Sequence, residues 1–134
     1  MLIVLPENSD LPIYRQIAEA IKEQLYAGAL LPGNELPPVR LLAESLGINL
    51  HTVRRAYQIL SDEGLIVMGL GRRTRIRPRR ASPANQETND LLRRRWKELE
   101  RDAWLRGLDR EQFSNFVQTM LQLQREDTYY GQPP

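Results

Sequence analysis

Glycine and proline cut the first half of this chain into short amphipathic pieces, and that punctuation restricts the fold more than any other feature. Ile13, Ile17, Ala20, Ile21 and Leu25 recur at helical spacing up to Gly28, with Arg15, Glu19, Lys22 and Glu23 mostly on the other face. A turn, Leu31-Pro32-Gly33-Asn34, follows. Pro37-Pro38 then opens a second stripe of Val39, Leu42, Ala43 and Leu46, stopped by Gly47. Proline suits a helix start because its missing N–H would have had no partner there, and glycine suits a helix end because it turns left-handed at little cost. Two residues later Asn49 offers a side-chain oxygen as the N-cap of a third helix, lined by Val53, Ala56, Tyr57 and Leu60 and stopped by Gly64. A short helix, a turn at a glycine and a second helix make a helix-turn-helix, whose second helix enters the DNA major groove. Small helical bundles contain similar turns, so the segment that follows decides.

That segment is β-prone. Leu65-Ile66-Val67-Met68 leads into the turn Gly69-Leu70-Gly71, and residues 73–77 return with arginines alternating with Thr74 and Ile76. Strand, glycine turn and strand predict a hairpin, and a hairpin directly after a helix-turn-helix is a wing. Charge gathers there. Residues 1–80 hold 11 Lys/Arg against 8 Asp/Glu, net +3, and residues 81–134 hold 8 against 9, net −1, which together make the chain's +2. Between Gly71 and Arg80 lie six arginines and no acid. Arginine forks phosphate oxygens better than lysine does, so this run favours a phosphate-facing strand over a merely solvated one.

Residues 81–89 are polar and proline-containing and predict a linker. Beyond it Leu92, Trp96, Leu99 and Ala103 form one helical stripe ending at Gly107, and Phe113, Phe116, Val117, Met120 and Leu121 form another. Asp109 with Gln112 predicts a capping box between them. The expected fold is therefore mainly α with a small β-hairpin. A winged helix-turn-helix occupies residues 1–80, a linker 81–89, and a two-helix dimerisation unit 90–134.

Composition closes other routes. The chain has 134 residues, no cysteine and one histidine, His51. Disulfides, thiolate metal sites, a cysteine nucleophile and histidine clusters are thereby excluded. No metal site, no cofactor and no nucleophile–base constellation is expected, so the chain is not expected to be an enzyme. Its longest apolar runs, at 2–6 and 65–70, are strand-length, far below the ~20 residues of a membrane span. A cytoplasmic protein without a membrane partner is the expectation. Two helices cannot by themselves enclose a pocket of a few hundred Å3, on the order of what a small ligand needs, so any effector would sit at a dimer interface.

Several stretches together strongly resemble the winged-helix domain of GntR-family transcriptional regulators. They are Pro12-Ile13-Tyr14-Arg15-Gln16-Ile17, the run from Gly28 to Pro37, Val39-Arg40-Leu41-Leu42-Ala43 with Leu46-Gly47, the run from Asn49 to Tyr57, and Glu63-Gly64-Leu65-Ile66. The Asn-x-x-Thr-Val-x-x-Ala-Tyr pattern and the short two-helix tail resemble the YtrA-like subfamily. The resemblance is dense over 2–78 and looser over 90–125. It implies a sequence-specific DNA-binding regulator, a repressor or an activator with repression expected, bound as a homodimer to a pseudo-palindromic operator of double-stranded DNA. It also implies DNA contacts at Arg40, at the start of the recognition helix (Asn49) and at the wing tip near Gly71. Two positions depart from the family pattern: Leu50 stands where many members have arginine, and His51 where many have threonine or serine. The operator cannot be borrowed from relatives.

On the third helix Leu50, His51, Thr52, Arg54, Arg55 and Gln58 lie off the apolar stripe. Arginine can fork guanine O6 and N7, and glutamine can do the same to adenine N6 and N7. Thr52, near the helix start, can bond a phosphate. Leu50 either meets a thymine methyl or packs, and His51 either contacts DNA or is solvated. Arg72, Arg73 and Arg75 either hold DNA or merely solubilise the hairpin. The expected dimer interface is Leu92, Trp96, Leu99, Phe113, Phe116, Val117 and Met120. A winged-helix protein-interaction module without operator binding is the rival reading.

Overall fold

The computed structural model describes residues 3–69, 73–79 and 85–130, with side chains through 126 in the last helix. It divides into two compact units, 1–80 and 81–134. The first holds helices α1 (Ile13–Tyr26), α2 (Val39–Leu46) and α3 (Leu50–Asp62), then strands β1 (Ile66–Val67) and β2 (Arg75–Ile76). The second holds α4 (Gln86–Leu105) and α5 (Arg110–Tyr130).

In the first unit α3 packs against both α1 and α2, and β1 lies against α3. The apolar stripes named above meet there. Ile17 and Ile21 of α1, Val53, Ala56, Tyr57 and Leu60 of α3, and Ile66 of β1 are buried at 0–1% exposure. Leu42 and Ala43 of α2 close one side of this core, and Leu36 and Ile76 close another. Each buried Ile, Val or Leu side chain stabilises the fold by roughly 1.5–3 kcal/mol through water exclusion, which is why the helical spacing of these residues governs where the helices lie. Tyr57 is the bulkiest of them, and its phenol O–H donates to the Pro37 carbonyl at 2.7 Å. Burial pushes that phenol above its ordinary range, so it stays protonated.

The helix ends follow the punctuation. Pro38 precedes α2 at its N-cap, and Gly47 ends it with φ 67°, the left-handed conformation that disfavours a Cβ. Asn49 caps α3 by accepting from the His51 backbone N–H at 2.7 Å. Replacing Asn49 with alanine is expected to lower stability by about 1 kcal/mol, read as a lower urea midpoint at unchanged slope. An unchanged midpoint would mean the cap contributes nothing.

The hairpin pairs Ile66 with Ile76 and Val67 with Arg75 in antiparallel register. Its strands are two residues each, shorter than the Leu65–Met68 run suggested. The segment read as a turn is one, with Asn34 N–H donating to the Leu31 carbonyl at 3.0 Å, and its end also joins the sheet. Gly33 N–H donates to the Ile76 carbonyl and Ile76 N–H to the Asn34 carbonyl, both at 2.9 Å, while Leu36 N–H donates to the Thr74 carbonyl at 2.9 Å. Glu35 thus bridges Arg75 across the strands. The wing's returning strand lies between β1 and the α1–α2 connection.

In the second unit the helix begins at Gln86, so residues 86–89, read as linker, are helical. Asn85 is the cause: its side chain accepts from the Thr88 backbone N–H at 2.8 Å and caps α4. Gly107 turns the chain between the helices at φ 102°. Asp109 and Gln112 form the reciprocal capping box, with bonds of 2.9 and 2.8 Å. Trp96 meets Phe113 edge-on, ring centres 5.4 Å apart.

Candidate nucleic-acid interface

A helix whose one side is sealed in a core must show the other side to its surroundings. On α3 the sealed side is Val53, Ala56, Tyr57 and Leu60, and the exposed side carries His51, Arg54, Arg55 and Gln58. Thr52 is half-buried at the first turn, its N–H donating to the Asn49 carbonyl. Arg40 is exposed at the start of α2. The outer side of α3 therefore displays cations and an amide, with donors suited to phosphate and base edges.

Several sequence-predicted residues have a second occupation. Leu50 is half-buried and packs against the core, which favours the packing alternative over a thymine contact. The Asn49 oxygen is engaged in capping, leaving the amide N–H groups for a ligand. Arg55 does not project freely: its guanidinium lies over the Tyr14 ring of α1, 3.8 Å from the centroid. Such a stack is worth ~0.5–1 kcal/mol at an exposed site and turns Arg55 toward α1. Gln58 donates to Asp62 at 2.9 Å, one turn along the same helix. Arg54 carries no such contact among the described residues and is the α3 arginine best placed to reach outward.

The wing arginines make contacts that the sequence does not announce. Arg73 and Arg75, predicted to face phosphate, both engage Glu35: Arg73 Nη1 lies 2.7 Å from Oε2 and Arg75 Nη2 lies 2.9 Å from Oε1. The hydrogen bond from Arg73, reinforced by both positive charges, holds the Glu35 carboxyl below its usual range. Arg73 is correspondingly held above its own. A depressed carboxyl keeps its charge at neutral pH, and the clasp is lost only as pH falls through that lowered value. Glu35 was not among the predicted site residues, because a lone acid in a turn gives no hint of the strand it will join. Gly71 and Arg72, also predicted at the wing, lie outside the described residues.

The second unit shows a different surface. Phe113, predicted at a dimer interface, is buried at 8% exposure within its own hairpin, against Trp96. Val117 is half-buried. Leu92, Trp96, Leu99, Phe116 and Met120 remain 44–59% exposed. Two helices cannot cover each other's stripes completely, and these residues are the uncovered remainder. Among the described residues no group of acids and histidine is placed to hold a metal ion, and no helix is long and apolar enough to cross a membrane.

Comparison with known proteins gives concordant matches. The family model described as bacterial regulatory proteins, gntR family, matches residues 13–76. Over 116 residues the chain is 32% identical to the HTH-type transcriptional repressor YtrA of Bacillus subtilis (strain 168), spanning 87% of this chain and 89% of that protein. Among solved structures, a transcriptional antiterminator from Listeria monocytogenes EGD-e superposes with a TM-score of 0.76 at 28% identity over 90% of both chains. YtrA from Sulfolobus acidocaldarius, described as a GntR-family transcription factor, superposes with a TM-score of 0.58 at 37% identity, covering 75% of this chain and 99% of that one.

Proposed function

Because this chain belongs to the GntR family of bacterial regulatory proteins, in its YtrA-like branch, and is a DNA-binding transcriptional regulator, we propose that it is a repressor that binds a pseudo-palindromic operator as a homodimer. The observation that carries the reading is the division of α3 into a sealed apolar side and an outer side bearing His51, Arg54, Arg55 and Gln58. Repression is supported by the Bacillus relative, a repressor similar along nearly its whole length. Homodimerisation is supported by the uncovered apolar stripes of α4 and α5, since a two-fold axis would bury the same patch on both copies.

Arg54 is the proposed base reader, with Arg40 and Thr52 on phosphates, His51 beside them, and the wing arginines on the backbone. Asn49 contributes through its amide N–H groups and through the cap that fixes the helix start. Arg55 and Gln58 join after leaving Tyr14 and Asp62. Leu92, Trp96, Leu99, Phe116, Val117 and Met120 form the dimer contact, with Phe113 supporting Trp96 from within. A cytoplasmic location fits this role.

Selection of bound sites from random duplex DNA tests the reading, and inverted repeats are expected. Arg54→Ala should then weaken binding of the selected site by about 1–3 kcal/mol and relax preference at one base position. Full affinity with unchanged preference would remove Arg54 from the reading set. Failure to bind any duplex at moderate salt would favour a protein-interaction module instead.

A further inference from the structure

The segment paired with the wing carries an acid that a phosphate-binding surface does not need. Arg75 opens β2 and Arg73 stands two residues before it, and both guanidiniums reach the same carboxylate. Glu35 stands opposite Arg75 on the neighbouring segment, and each of its carboxylate oxygens takes one guanidinium, at 2.7 and 2.9 Å. Arg75 Nη1 also donates to the Gly33 carbonyl, at 3.4 Å. The guanidinium-bearing side chains are 75% and 56% exposed and Glu35 is 34% exposed, so the cations are open to a ligand while the acid sits closer in.

This arrangement has an electrostatic consequence. Two cations and one anion leave a single net positive charge where the bare sequence run promises two. An incoming phosphate must displace the carboxylate from an arginine or share that arginine with a fixed negative charge a few ångströms away. Either way the attraction per arginine falls. Non-specific DNA binding rests almost wholly on neutralising phosphates and releasing their counterions, so it is the mode most sensitive to such a loss.

We propose that Glu35, on the segment beside the wing, is an affinity-limiting residue, which holds Arg73 and Arg75 and thereby restrains binding to DNA phosphates irrespective of sequence. The proposal rests on the DNA-binding reading above. Removing the charge frees about one phosphate's worth of attraction.

The test uses the full chain and a mixed-sequence duplex about three helical turns long, titrated over a range of salt. Glu35→Gln is expected to bind roughly five- to tenfold tighter near ~0.1 M salt, with the slope of log K against log salt steeper by about one unit. Glu98→Gln, on α4, makes the same change in net charge and should leave the slope unchanged. If it steepens the slope equally, the effect belongs to overall charge and the proposal fails. Arg73→Ala combined with Arg75→Ala should abolish the response to Glu35→Gln, and persistence of the response would also overturn it. A matched thermal unfolding midpoint checks that Glu35→Gln folds; should it not, Glu35→Ser in the same cycle gives the same readings. An unchanged slope in a folded variant defeats the proposal, and so does weaker binding, which would make Glu35 a clamp that positions the arginines. Absence of any duplex binding by the unaltered chain would instead defeat the DNA-binding reading itself.

Discussion

A chain ending at residue 80 is expected to bind a selected inverted-repeat site about 100- to 10,000-fold more weakly than the full chain. The argument starts with the uncovered stripes on α4 and α5, where Leu92, Trp96, Leu99, Phe116 and Met120 are about half-exposed while Ile17, Val53 and Leu60 of the first unit are fully buried. Joining two copies makes the second half-site contact intramolecular, and linkage of that kind raises overall affinity by ~10²–10⁴ without any new contact to DNA. Two recognition helices related by a two-fold axis would meet half-sites about 34 Å apart, one turn of the duplex. The shortened chain should fold, because its core residues all lie within 3–76, and it should retain weak single half-site binding. Sedimentation checks the premise directly. A full chain that is monomeric at micromolar concentration, or a shortened chain that still dimerises, would overturn the assignment of the dimer contact to α4 and α5.

Tyr57→Ala is expected to have the largest effect on stability, a loss of about 3–5 kcal/mol. The side chain is fully buried between the helices, and its removal leaves a cavity as well as an unpartnered Pro37 carbonyl. Small domains are stable by only ~5–15 kcal/mol in total, so the variant should lose a large share of its stability and melt at a markedly lower temperature. Tyr57→Phe separates the two causes, keeping the ring and losing only the hydrogen bond, at about 1 kcal/mol. The phenol also gives a signature in alkali. Its value in the fold is raised above the ordinary 10.0, so the unfolded state releases its proton first. Stability from this group is present in full below that ordinary value and falls as pH rises beyond it. Urea midpoints measured on the two chains from neutral pH to pH ~11 should diverge, the unaltered chain declining more steeply than Tyr57→Phe. Parallel declines would show that burial of Tyr57 has no such consequence.

What could be read in the sequence was what depends on near neighbours. The periodic residues of α1, α2 and α3, the Gly47 turn, the Asn49 cap and the Asp109–Gln112 box all involve partners within a few positions, and each lies where its local chemistry puts it. The start of α4 at Gln86 is hard to see in the sequence because a polar helix turn and a polar linker have the same composition, and the Asn85 cap is what separates them. The clasp of Glu35 on Arg73 joins residues 38 apart in the chain. It exists because Gly33–Leu36 adds to the sheet, a pairing register that no local pattern specifies. The Tyr14–Arg55 stack has the same origin, in the packing of α1 against α3. Six arginines without an acid described the wing correctly as a stretch of chain and incompletely as a surface.

The turn between α2 and α3 has a consequence for how this chain could acquire a new target. Gly47 N–H donates to the Glu44 carbonyl, Ile48 N–H to the Ala43 carbonyl, and Asn49 caps the helix that begins at the next residue. Ile48 packs against the core at the same time. No slack exists in these three residues. One added residue would break this set of bonds, because Gly47 and Ile48 reach back to α2 while Asn49 must stand at the start of α3. Exchange of the exposed side chains His51, Arg54, Arg55 and Gln58 leaves this joint intact, whereas insertion or deletion in the turn does not.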